Sequence, residues 1–291
     1  MSDLQGSREP DPWALLRRHT PARIGLGRAG DALPTSAVLR FEAAHALARD
    51  AVHDPLDAER IAADLAAALA GRLTGPPPVV ASAAPDRATY LQRPDLGRRL
   101  APSGRAALTG AGGSAGGSAG GSAGGSAGGS AGGSAGGSAG GSAGGSAGEV
   151  DLALVVTDGL SARAVHAHAT ATAAAVLDRL PGWSVTAVVV RLGRVAVGDE
   201  VGALLGARLA LVLVGERPGL SAPDSLGAYL THGPRPGRRD SERNCVSNIR
   251  PPHGQRTEDA ADTIAGLLRR ADDLGLTGVR LKDDRALDPP A

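Results

Sequence analysis

The chain has 291 residues and a formal net charge of +1, with 42% hydrophobic and only 2% aromatic residues. Near-neutral charge argues against a nucleic-acid polyanion as partner, and the shortage of aromatics against a base-stacking platform. A single cysteine, Cys245, excludes an intramolecular disulfide and a cysteine-based zinc cage, and suits a reducing, cytoplasmic setting.

Residues 1–12 are polar and proline-bearing and read as a loosely held tail. Met1-Ser-Asp-Leu-Gln-Gly lacks the basic-then-apolar layout of a secretory signal. No apolar run approaches the ~20 residues of a membrane span, so a soluble chain is expected. From Trp13 the pattern turns helical, up to Thr20-Pro21. Gly25-Leu-Gly27-Arg-Ala-Gly30 then matches the dinucleotide fingerprint by letter. No buried strand precedes it and Pro34 follows closely, so it reads as a structured loop.

Pro34-Thr35 opens a helix to about Asp50, with Leu39, Ala43, Ala44, Leu47 and Ala48 at helical spacing. A second helix spans about Asp57–Leu73, and Gly75-Pro-Pro-Pro78 ends it. The segment 82–97 is polar and broken by proline, and reads as an ordered loop that meets something. Residues 110–148 repeat Gly-Gly-Ser-Ala in register. Such a tract cannot bury a core, and as a flexible coil would span ~35 Å. It marks the domain boundary, with a helical and loop region at 1–109 and a second domain at 149–291.

Beyond the tract, strands and helices alternate. Asp151–Thr157, Ser184–Arg191 and Leu209–Val214 read as buried strands, and Ser225–Thr231 as a fourth. Helices are expected from Ser161 to about Leu180, from Asp199 to Gly206 and from Thr257 to Leu274, with a short last strand at Gly278–Leu281. This spacing predicts an α/β fold with a parallel, doubly wound sheet.

In such a sheet the loops at strand carboxyl ends converge on one edge. Here they are Asp158–Ser161, Arg191–Gly198, Gly215–Pro223 and 232–250, which carry Asp158, Glu216, several arginines and the Cys245 thiol. That inventory suits a large polar ligand with amide or phosphate groups. A hydrolase using Ser161 remains an alternative, although Gly159-Leu-Ser161-Ala-Arg is not the nucleophile-elbow turn and Ser161 reads better as a helix cap. His166 and His168, two apart on a helix, face apart and make a poor metal pair. Cys245 has Arg243 and Arg250 near it in sequence but no histidine that can be assigned as its base.

Seven stretches in order carry a family resemblance: Asp11-Pro-Trp13, Thr20–Gly30, Ser82–Arg87, Tyr90–Arg98, Asp158–Ala162, Gly215–Leu220 and Arg243–Arg250. The chain resembles the small (light) subunit of ethanolamine ammonia-lyase from Trp13 to Lys282, apart from the repeat tract. The resemblance implies a Rossmann-like domain at 149–291 preceded by a smaller, mostly helical one. It also implies a hetero-oligomer with a large barrel subunit that converts ethanolamine to acetaldehyde and ammonia, with no nucleic acid and no membrane involved. The implied cofactor is adenosylcobalamin, held at the interface between the subunits through Val195, Glu216 and Cys245. The resemblance implies base-on binding, and the absence of the D-x-H-x-x-G signature of folds that replace the lower base with histidine agrees with that. The resemblance implies no catalytic residue and no metal ligand on this chain. It places the enzyme in the cytoplasm, with a bacterial microcompartment as one setting. A purely structural partner within that compartment is a third reading, against which intact Val195, Glu216 and Cys245 argue.

Overall fold

A computed structural model describes residues 11–112 and 150–282; the tail 1–10 and most of the repeat tract lie outside the described residues. Asp11 caps α1 (Pro12–Arg17) by accepting the Trp13 amide, with proline at the first turn where its missing N–H costs nothing. The loop after it holds Gly25, Gly27 and Gly30 at positive φ, and no strand precedes it among the described residues, as expected of a structured loop. The helices α2 (Thr35–His53) and α3 (Ala58–Ala68) follow the predicted spacing. The second ends five residues early, because Leu69–Leu73 turns into the segment that feeds β1 (Val79–Ala81). Between β1 and the tract lie α4 (Arg87–Gln92), a 3-10 turn at Leu96–Arg98 and α5 (Pro102–Gly112), which enters the start of the repeats.

After the tract come β2 (Leu152–Thr157), α6 (Ala162–Ala164), a π-turn at Val165–Ala169, α7 (Thr170–Asp178) and β3 (Val185–Arg191). Then follow α8 (Val197–Leu204), β4 (Leu209–Gly215), β5 (Leu226–His232), β6 (Asn244–Ile249) and α9 (Thr257–Leu274). The six strands form one sheet in the order β1-β3-β2-β4-β5-β6. β2 and β4 are buried along their whole length because helices cover both faces, which is why their sequences are unbroken apolar runs. On one face α3, α7 and α9 pack over Leu154, Leu211, Leu226 and Leu230. On the other, α5 and α8 pack over Val155, Val188, Val212 and Val214.

Two expectations change. The sheet is mixed: β1, β3, β2 and β4 are parallel, but β5 is antiparallel to both its neighbours. The segment 216–225 between β4 and β5 is shorter than the dozen or so residues a parallel crossover needs, so the chain can only double back. The segment at Gly278–Leu281 is a turn and not a strand; Gly278 accepts a close approach of the Ser241 carbonyl that a Cβ would block. No helix among the described residues is long and apolar enough to cross a membrane.

Candidate functional site

The doubling back of β5 and β6 carries the sheet past the edge of α8. Their faces differ as a result. Leu226, Ala228, Leu230, Val246 and Ile249 are buried on the α9 side, whereas Tyr229 and Cys245 lie on the opposite face, where Cys245 is exposed. Tyr229 and Cys245 are paired across the two strands, close enough for the phenol to influence the thiol. Cys245 therefore sits within a strand, not in the 232–250 loop expected for it, and that loop lies at the opposite sheet edge from Glu216.

Beside this face a cavity of about 370 Å³ is lined by Val195, Tyr229 and Cys245 together with Pro94, Arg98 and Arg194. Ala196, Asp240 and Arg243 complete its rim. Val195 arrives on the loop between β3 and α8, and that loop is fixed from several sides. Leu192 takes a positive φ, its N–H donating to Asp158 Oδ1 at 2.7 Å, and the Gly193 N–H donates to Thr157 Oγ1 at 2.9 Å. A non-glycine residue in this conformation persists only where its surroundings demand it. The segment 82–97 supplies the remaining hold: Tyr90 Oη donates to the Gly193 carbonyl at 3.0 Å, and the Arg194 N–H to the Gly97 carbonyl at 2.7 Å.

Glu216 stands at the carboxyl end of β4, half-buried and outside that cavity. Its Oε2 accepts from Ser225 Oγ at 2.6 Å and from the Asn248 N–H at 3.3 Å. The second bond depends on an irregularity in β5–β6, where the register shifts between Leu226 and Ala228 and Asn248 adopts a left-handed conformation. Its other oxygen lies over Gly227, where a Cβ would come within 2.8 Å of it. Since β5 residues alternate in facing, Gly227 and Tyr229 share a face, and Glu216 overlooks the same surface as the tyrosine and the thiol.

Tyr229 and Cys245 are both tuned toward their neutral forms. Burial pushes the Tyr229 phenol well above its ordinary range, with the neighbouring Cys245 and Glu216 adding to the shift. Although Cys245 keeps solvent access, desolvation of its thiol by the packed neighbours pushes it up, opposed by the adjacent Tyr229 phenol and reinforced by Glu216. A thiol so placed is a poor nucleophile and a good neutral contact.

The other predicted groups have structural duties. Asp158 is buried, its carboxylate holding the Leu192 N–H and Arg87 Nη1 at 3.1 Å; burial pushes it up and Arg87 opposes this. Ser161 Oγ donates to the Pro223 carbonyl at 2.8 Å and accepts the Ala164 N–H at 3.2 Å, so it is a fully buried helix cap with its proton engaged. His166 Nε2 accepts the Asp57 N–H at 3.0 Å. Among the described residues no histidine hydrogen-bonds to that serine. The lining residues that the sequence did not single out are Tyr229, Arg98, Arg194 and Asp240, whereas Arg243 was noted only as a neighbour of Cys245. The brevity of 216–225 was the signal that could have found Tyr229, since it forces the turn-back that leaves this face open.

Comparison with known proteins fits this picture. The model of the ethanolamine ammonia-lyase light chain matches residues 10–115 and 143–282. The chain belongs to the ethanolamine ammonia-lyase light-chain family. The ethanolamine ammonia-lyase small subunit of Azotobacter vinelandii is 46% identical over 288 residues, covering 98% of this chain and 92% of the relative. That of Rhodopseudomonas palustris is 46% identical over 277 residues, covering 94% and 90%. That of Xanthomonas campestris is 48% identical over 277 residues, covering 94% and 88%. The gap in the light-chain match, 116–142, falls wholly within the repeat tract, so the family pattern resumes on either side of it.

Proposed function

We propose that this light chain holds base-on adenosylcobalamin against a large subunit, in a complex that converts ethanolamine to acetaldehyde and ammonia. The observation that carries the reading is the common face of the three expected contacts: Val195 and Cys245 line one cavity with Tyr229, and Glu216 overlooks the same strand surface. The donor set suits a corrinoid. A carboxylate can accept from the side-chain amides of the ring periphery, while Pro94, Val195, Ala196 and the neutral Tyr229–Cys245 pair offer contact to its flat body. Arg194, one of the lining residues, has a buried Nε without an acceptor.

When bound, adenosylcobalamin supplies the radical that starts the rearrangement, by homolysis of its cobalt–carbon bond. This chain's part is to bind and orient. Glu216 is held ready by Ser225 and Asn248, so little side-chain entropy is lost on binding. A pocket of about 370 Å³ encloses only part of so large a ligand, which favours a second protein covering the rest.

The N-terminal arm supports the same need for a partner. Trp13, Leu15, Leu16, Leu39, Phe41 and Leu47 are all exposed, a concentration of apolar surface that marks interaction sites. The arm meets the loop after Glu216, with Arg23 donating to the Leu220 carbonyl and to Ser221 Oγ at 3.4 Å each. In this reading, 149–291 acts as a Rossmann-like domain whose parallel half carries helices on both faces. Residues 1–109 form a helical part that lends β1 to its sheet, and 110–148 link the two.

Co-expression with the cognate large subunit, followed by an acetaldehyde assay with adenosylcobalamin and ethanolamine, tests the proposal. Activity is expected only with both chains, and Glu216→Ala should raise the cobalamin concentration for half-maximal activity about tenfold, the loss of one charge-assisted hydrogen bond. An active large subunit alone, or a Glu216→Ala complex identical to the parent, would overturn it.

A further inference from the structure

Two arginines in the cavity have no assigned role. Arg98 is exposed, and no hydrogen bond or ion pair engages its guanidinium among the described residues. Arg194 lies with its guanidinium carbon 4.5 Å from the centre of the Tyr90 ring, and its Nη2 donates to the Tyr90 carbonyl at 3.3 Å. Its Nε is buried without an acceptor. Stacking on the ring fixes the plane of this guanidinium while its remaining donors stay uncommitted. The third arginine, Arg243, is already neutralised by a two-bond contact with Asp199 at 2.6 and 2.7 Å, and its Nε lies 3.5 Å from the solvent-exposed Asp240. Against the one further carboxylate of the lining, Asp240, the cavity thus keeps a net positive charge from Arg98 and Arg194, on the side where the Val195 loop meets the Tyr90–Arg98 segment.

We infer that Arg98 and Arg194 form a clamp for the phosphodiester in the nucleotide tail of the cobalamin. The inference rests on the cobalamin reading above and assigns one part of the ligand to one part of the site. The side chains around a corrin ring end in neutral amides, which a carboxylate and backbone groups satisfy. The tail's phosphodiester is the anionic side group, and guanidinium forks are the side chains best matched to it. Glu216 takes the ring periphery, and the two arginines take the tail.

The test is a spectrophotometric titration of the complex with the large subunit, using hydroxocobalamin and dicyanocobinamide, which keeps the ring amides but lacks phosphate, ribose and base. Arg98→Ala and Arg194→Gln should each weaken hydroxocobalamin binding roughly tenfold and leave cobinamide binding unchanged. Arg194→Lys should recover part of the loss, and Glu216→Ala should weaken both ligands. Equal weakening of both ligands by the arginine variants, or no weakening, would overturn the clamp while leaving the cobalamin reading intact. A parent complex that binds neither ligand would overturn the cobalamin reading itself. If Arg194→Gln prevents assembly, the surface variant Arg98→Ala decides alone.

Discussion

Cys245 and Tyr229 show how a strand pair can set chemistry. Each is the other's cross-strand neighbour, so the thiol meets the phenol without any loop having to position it. Because burial and Glu216 both push the thiol up, its thiolate should form at a higher pH than that of a free cysteine. Alkylation by iodoacetamide, followed as a function of pH, should therefore rise later than for free cysteine. Tyr229→Phe should delay it further, since the adjacent phenol favours the thiolate. A reaction already at its plateau at neutral pH would contradict this assignment. The residue types of the site were legible in the chain. Glu216 ends an apolar strand, which is a pattern, and Cys245 stood out by being single; Val195 was marked only by the family resemblance.

At the level of elements, the junction of α8 with β5 and β6 rests on one buried ion pair. Arg243, just ahead of β6, reaches Asp199 in the first turn of α8, with Thr231 of β5 accepting at 3.0 Å and the Arg238 carbonyl at 3.1 Å. Burial pushes the Asp199 carboxyl up and the guanidinium's two bonds pull it back. Removing one partner of a buried pair strands the other charge, at a cost of about 3–5 kcal/mol. Asp199→Ala should lower stability to urea by about that amount, whereas Asp240→Ala, at an exposed carboxylate, should cost under about 1 kcal/mol. Similar midpoints for the two variants would show that the pair is not holding the junction. This pair was not legible: nothing in the local pattern joins Asp199 to Arg243, and the contact exists only because β5 turns back. Reading Ser225–Thr231 as one more parallel strand followed from its apolar content, which reports burial and not direction. The helix 257–274 was legible to the residue, because its apolar positions alternate with charges over five turns and Gly275 ends it at positive φ.

The whole molecule combines a sheet covered on both faces over its parallel half with a face left open over its antiparallel half. Since the light-chain pattern skips 116–142, deleting those residues should leave the thermal midpoint within a few degrees of the parent, because loop-closure entropy changes only slowly with length. A loss of about 10 °C or more would mean that the tract takes part in the fold. The antiparallel half leaves one face open, and the arm exposes Trp13, Leu16 and Phe41, apolar surface of the kind that marks interaction sites.

The most direct measurement is a titration of hydroxocobalamin into three samples: this chain alone, the large subunit alone, and the two together. The account predicts tight binding only when both are present, and a loss of about tenfold in the complex when Glu216 is replaced by alanine. Equally tight binding by the large subunit alone, unmoved by changes at Val195, Glu216 or Cys245, would contradict it.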